Sequence, residues 1–242
     1  MENAQPKVKS EETGFKKFLN GCKKVLIKIK NGLKYLWQEL VVFPCHIITH
    51  PIQGWTEFKT EKRGKMGIAI LMLAIYIVMK MVEYKYLGPV INENNPYKFN
   101  SIKILVYGVL PPILLAVGNW SVTTLMDGKG KMGEIFKMIC YSLFPITVAG
   151  FFNIALSNVI TIEEAQFVTL FKILGWAITG FMVFMGLVTI HEYGIGKTIW
   201  SIILTIVACL IICFIALLLF NLAEQVYGFV YTVYKEISTR YL

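Results

Sequence analysis

Between Thr198 and Leu222 the chain passes twenty-five residues without an Asp, Glu, Lys or Arg. A backbone carried into hydrocarbon must satisfy its amides internally, which a helix of about twenty apolar residues does while crossing a core of about 30 Å. Four more long apolar runs, each interrupted by one to three charged residues, precede it at about Gly67 to Leu87, Ile102 to Gly118, Ile135 to Leu156 and Phe167 to Ile190. With 56% hydrophobic and only 16% charged residues, too little polar surface is left to solvate an ordinary globular domain. The expected fold is an all-α integral membrane protein with five transmembrane helices, preceded by a basic amphipathic interfacial helix.

The net charge of +9 is concentrated at one end, with thirteen of the 24 Lys and Arg residues preceding Met66. Within that block Phe15, Phe18, Leu19, Cys22, Leu26, Ile29, Leu33, Leu36, Trp37 and Leu40 recur at helical spacing, and lysines fill the opposite face. Such a helix, over Phe15 to Val41, is too polar to span and is suited to lie among anionic headgroups. The basic block therefore points to lipid and not to nucleic acid. The chain divides into a basic N-terminal segment (1–49), a five-span domain (50–225) and an interfacial tail (226–242).

Lysine asymmetry sets the expected topology. Lys129, Lys131 and Lys197 follow the second and fourth spans, whereas the loop after the third holds Glu163 and Glu164 and no Lys or Arg. The positive-inside rule then puts the N-terminus in the cytoplasm and, after five spans, the C-terminus outside. Lys85, Lys98 and Lys103 on the opposite side oppose this weakly. Lys80 and Glu83, three apart, can neutralise each other near the far end of the first span.

Two polar turns stand out between the apolar runs. The first offers Asn119, Trp120, Ser121, Thr123, Thr124, Asp127 and Gly128, and the second His191, Glu192, Tyr193, Gly196 and Lys197. Both face the expected cytoplasm, so together they make a candidate interaction platform. Asp127 is expected to hold its turn by accepting backbone N–H bonds, and Gly130 and Gly133 to supply positive φ angles. Ser101 is expected to cap the second span, and Thr161 with Glu164 to form a capping box for the fourth. Pro111, Pro112 and Pro145 remove ladder bonds at similar depth, so kinked helices enclosing a polar crevice are expected. Ser201, Thr205, Cys209 and Cys213 recur every four residues as a small-residue stripe suited to helix packing.

Catalytic and cofactor signatures are missing. His191-Glu192 begins the zinc-protease pattern His-Glu-x-x-His, but position 195 is Ile. Gly194-x-Gly196-Lys197-Thr198 lacks the spacer of a phosphate loop, and Cys45, His46 and His50 fall short of the four ligands of a structural zinc site. The reading is a non-enzyme with no cofactor and no metal.

Five motifs share a pattern: His50-Pro51-Ile52-x-Gly54-Trp55, Glu61-Lys62-Arg63-Gly64, Asn119-Trp120-Ser121-x-Thr123-Thr124-Leu125-Met126-Asp127-Gly128, Tyr141-Ser142-Leu143-x-Pro145, and His191-Glu192-Tyr193-x-x-Gly196-Lys197-Thr198. Over His50 to Gln225 the chain resembles the bacterial branch of the Ypt-interacting protein (Yip) domain family. That resemblance implies a five-span, non-enzymatic membrane protein with a cytoplasmic N-terminus. Eukaryotic members are associated with Rab-type GTPases, and bacterial members are often encoded near sugar-type ABC transporter genes. The chain lacks the Asp-Leu-Tyr-Gly-Pro motif of eukaryotic members and carries Cys140 where a glycine commonly precedes the tyrosine, which argues against GTPase recruitment. The function expected is membrane interaction or assembly, with another membrane protein or transporter subunit as partner and homo-oligomerisation left open. The alternative is a small-solute channel or transporter subunit.

Overall fold

The computed structural model describes residues 27–28, 30–92 and 94–241, all helix, turn or irregular. It divides into two compact units, residues 1–46 and 47–242. In the first, residues 30–37 are helical and continue into a π-helical stretch, Gln38–Val42. Leu33 and Trp37 are exposed there. Residues 15–26 and residue 29 of the expected interfacial helix, with residues 1–14 before it, lie outside the described residues.

A short helix, α1 (Phe43–Thr49), covers the boundary between the two units in sequence, and seven further helices follow in the second: α2 (Pro51–Thr60), α3 (Met66–Tyr86), α4 (Ser101–Leu125), α5 (Met132–Ser142), α6 (Phe144–Ser157), α7 (Ala165–His191) and α8 (Ile195–Tyr241). Five segments are long and apolar enough to cross a membrane: α3, α4, α5 with α6 as one, α7, and α8. The fold class is therefore the all-α, five-span one.

Local chemistry sets the boundaries. Pro51 opens α2, where a missing N–H costs nothing. Asn100, not Ser101, caps α4, its Oδ1 accepting the Lys103 N–H at 3.1 Å, because the amide oxygen reaches the first orphan donors from one residue further out. Glu134 accepts the Lys131 N–H at 3.1 Å at the head of α5. Glu164 does the same for Thr161 at 3.1 Å, but this closes a turn that precedes α7 and does not cap the helix itself. α4 runs without interruption through Pro111 and Pro112, while Pro145 sits in the first turn of α6, just past the break at Leu143.

The core is the third span. α5 and α6 pack between α3, α4 and α7, burying Ile135, Met138, Ile139, Tyr141 and Ile146. Close approach is bought by small residues: a side chain at Gly150 would strike Met79, and one at Gly175 would lie 2.7 Å from Ala149 Cβ. α8 lies along α4. Gly118 meets it at Cys209 Sγ and the Thr205 carbonyl, so Ser201, Thr205 and Cys209 face α4 while Cys213 is exposed. The α8 helix continues unbroken from the apolar run into residues 226–241.

Candidate functional site

Two of the helices end in the same way at one end of the bundle. α4 closes with a Gly128 N–H to Thr123 carbonyl bond of 2.7 Å, and α7 with a Tyr193 N–H to Val188 carbonyl bond of 3.1 Å. Each bond spans five residues and requires a left-handed residue beneath it. Asp127 (φ 57°) and Glu192 (φ 56°) occupy those positions, where glycine is usual. Among the described residues no glycine has positive φ, which corrects the role expected of Gly130 and Gly133. Asp127 corrects a second expectation: its carboxylate holds no hydrogen bond, and the turn is closed by backbone alone.

Gly128 and Gly130 matter through space. An added Cβ at Gly128 would lie 2.7 Å from both His191 Nδ1 and Tyr193 Oη, and one at Gly130 would lie 2.6 Å from Ile190 Cγ2. The α4–α5 turn is pressed onto the end of α7. The contact carries a chain of hydrogen bonds. The Gly130 N–H donates to His191 Nδ1 at 3.3 Å. A backbone N–H can only donate, so the imidazole proton sits on Nε2, which donates to Asn119 Oδ1 at 3.1 Å. Asn119 Nδ2 donates to Thr205 Oγ1 at 3.1 Å, and Thr205 donates to the Ser201 carbonyl at 2.7 Å. Asn119, His191, Ser201 and Thr205 are all buried.

Above this relay Tyr193 stacks on His191 with centroids 5.2 Å apart, and its hydroxyl donates to the Met126 carbonyl at 3.0 Å. Lys197 lies 4.5 Å from the Tyr193 ring centre. Burial, with the Asp127 carboxylate behind it, raises the Tyr193 phenol above its ordinary value. On the outer surface Glu192 bridges two lysines, accepting from Lys129 and, at 2.8 Å, from Lys59. Those bonds hold its carboxyl down at about 2. Lys59 also donates to the Ile190 carbonyl at 2.9 Å, fastening α2 to the end of α7.

The helix α2 is seated by its other face. Trp55 and Phe58 are fully buried, with Phe58 edge-on to Trp55 and Tyr141, and Gly186 leaves room for Trp55. Lys137 lies over Phe58 and donates to the Gly64 carbonyl at 2.8 Å.

A family model described as the Yip1 domain matches residues 45–221, nearly the whole second unit. The chain belongs to the Yip1 domain family. No match was found among curated proteins or among solved structures.

Within this Yip1 domain, the residues singled out in the two polar turns separate into two groups. Asn119, Thr123, Gly128, His191 and Tyr193 meet in the joint just described, and Glu192 and Lys197 border it. Ser121 and Thr124 turn back to the Val117 and Trp120 carbonyls of their own helix, Trp120 is exposed, and Gly196 has open space around it. Sequence reasoning missed Lys59, Lys129 and the Trp55–Phe58 pair. A signal for Lys59 was present: it lies four residues after Trp55, hence on the apolar side of α2, where a cation requires a buried acceptor. No group of three metal-ligating side chains occurs among the described residues.

Proposed function

We propose that this Yip1 domain is a non-enzymatic membrane interaction or assembly protein, and that the end of the bundle built from α2 and the two polar turns is its docking face for another membrane protein. The observation that carries the reading is the Glu192 bridge: one exposed carboxylate ties α2, the α4–α5 turn and the α7–α8 turn into a single surface through Lys59 and Lys129. Below it the joint is built of neutral groups linked by hydrogen bonds from the Gly130 N–H to the Ser201 carbonyl, which suits a rigid platform better than acid–base chemistry. The lysine asymmetry supports a cytoplasmic position for this face and an external C-terminus. Family resemblance supports a bacterial setting and a transporter subunit, such as one of an ABC complex, as the partner, and anionic lipid as the surface met by the N-terminal helix.

The test is copurification after mild detergent extraction, comparing wild type with Lys129→Gln/Glu192→Gln. Loss of one stoichiometric membrane partner, with unchanged melting of the variant, supports the reading; an unchanged partner set removes it. Labelling of a cysteine at Ser238 in intact cells, and of one at Ser10 only after permeabilisation, checks the orientation. The solute-path reading draws less support, because the cavity enclosed among α3, α4, α5, α7 and α8 is walled by side chains such as Leu115, Val183 and Ile202, which offer a hydrated solute little. Flux through proteoliposomes would revive it.

A further inference from the structure

Two cavities meet at Tyr76 and Gly108, and they differ sharply in character. One, of about 420 Å³, lies among α3, α4, α5, α7 and α8 and is walled by Pro112, Leu115, Trp176, Val183, Ile202 and Ile206. The other, of about 660 Å³, lies toward the opposite end of the bundle from the Glu192 bridge and gathers Lys80, Lys98, Lys103 and Lys172 around Glu83. Lys80 and Lys172 pair with Glu83 at 2.7 and 3.2 Å. Among the described residues Lys98 and Lys103 have no carboxylate partner. Among the described residues four lysines stand against one carboxylate in the outer chamber, which makes its lining cationic beside an apolar chamber.

The inner chamber is reachable from the bilayer. α7 and α8 meet only over a short stretch, and Trp176 and Ile206, one on each helix, are both about half exposed at its edge. Thr179, in the same wall, is buried with an unpartnered hydroxyl. Elsewhere in the bundle Thr123, Thr147, Thr189 and Thr205 each donate to the carbonyl four residues earlier, so the Thr179 hydroxyl is set apart from them. Gly108 keeps the junction open: an added Cβ there would stand 3.0 Å from Ile77 Cγ1.

We infer that the two chambers form one site for an anionic membrane lipid, its phosphate among Lys80, Lys98, Lys103 and Lys172 and one hydrocarbon chain in the apolar chamber. Charge complementarity selects the headgroup, since cationic clusters at a membrane surface attract anionic lipids at a gain that falls off within a Debye length. The adjoining chamber selects a lipid over free phosphate, because an apolar, dry cavity is filled favourably by a chain and not by an ion. The three lysines that oppose the topology count gain a role here, Lys98 and Lys103 in the site itself and Lys85 at its border in sequence.

The test uses the full chain in mild detergent, with native mass spectrometry of bound dioleoyl phosphatidylglycerol against dioleoyl phosphatidylcholine, which share their chains. Phosphatidylglycerol should be retained at least about 25-fold better, and each lysine removed in Lys98→Gln/Lys103→Gln should lower that preference about fivefold. Gly180→Leu, placed where an added side chain meets open space in the chamber wall, should reduce binding of both lipids. Should Gly180→Leu elute as aggregate, Val183→Phe fills the same chamber. Equal retention of the two lipids, displacement of phosphatidylglycerol by inorganic phosphate alone, or a filled chamber that still binds both lipids as wild type does would each overturn the inference.

Discussion

The two ends of the bundle are built on the same charge motif and differ in what lies beneath it. At one end Glu192 bridges Lys59 and Lys129; at the other Glu83 bridges Lys80 and Lys172. Under Glu192 the helices are closed by glycines and a hydrogen-bonded relay from Gly130 to the Ser201 carbonyl, while beside Glu83 the helices part around two cavities. The carboxylates also sit differently, with side-chain exposures of 51% for Glu192 and 12% for Glu83. A lysine–carboxylate cluster alone therefore says nothing of purpose; the packing around it separates a surface tie from a chamber wall.

Breaking the closed end should have the largest effect. His191→Ala leaves the Asn119 Oδ1 and the Gly130 N–H without their partner and opens a void under Tyr193, a loss of about 2–4 kcal/mol read as a lowered melting temperature in detergent. His191 is 1% exposed, so its loss reaches the packing of the joint and not only the platform surface. Second, Glu83→Gln should destabilise the protein by about 1–3 kcal/mol, because it leaves two lysines uncompensated within the spanning region, half-buried at Lys80. If Glu83→Gln melts as wild type does, the open end is as solvated as the Glu192 surface and the contrast fails.

The next effect has the opposite sign. Asp127→Gly removes a side chain from a left-handed position in which its carboxylate makes no hydrogen bond, and should stabilise by about 0.5–1 kcal/mol, the ordinary advantage of glycine at such a cap. The smallest is Glu192→Gln. The Glu192 carboxyl is depressed to about 2, so its contribution is full above the ordinary carboxylate value and fades as pH falls from about 4.5 toward 2. Glu192→Gln should lower melting slightly at neutral pH and flatten the acid limb by the same small amount, so that the two proteins converge toward pH 2; an equal acid limb in both would show that the bridge does not form in solution.

The five spans were legible because hydrophobic run length is a local property, and the two polar turns because Asp-Gly and His-Glu-Tyr interrupt those runs conspicuously. Their contact was not. His191 lies 72 residues from Asn119, and nothing in either turn states that one imidazole edge will face one amide. Glycine was the subtler misreading: Gly128 and Gly130 look like turn-formers, yet the left-handed work falls to Asp127 and the glycines serve to let a histidine and a tyrosine approach. Trp55 and Phe58 show the same gap, since an amphipathic face tells that a helix will dock and not where. The cavities were least visible of all, because a hollow is defined by residues from five helices none of which is unusual in its own window.

The length of α8 carries one more consequence. Its 47 residues measure about 70 Å at 1.5 Å per residue. To fit within a core of about 30 Å the axis would have to lean roughly 65°, far outside the 0–40° over which spanning helices are found. The apolar stretch ending near Leu222 fits a tilted crossing, so the remaining residues to Tyr241 project from the lipid as a mast of about 28 Å. Tyr227, Tyr231 and Tyr234 are exposed along its length, and Tyr227 and Tyr231 stack with ring centres 6.5 Å apart. Rooted on α4 through Thr205 at one end and exposed to its tip at the other, the rod would act as a lever, a small rotation at its foot carrying its tip through a long arc.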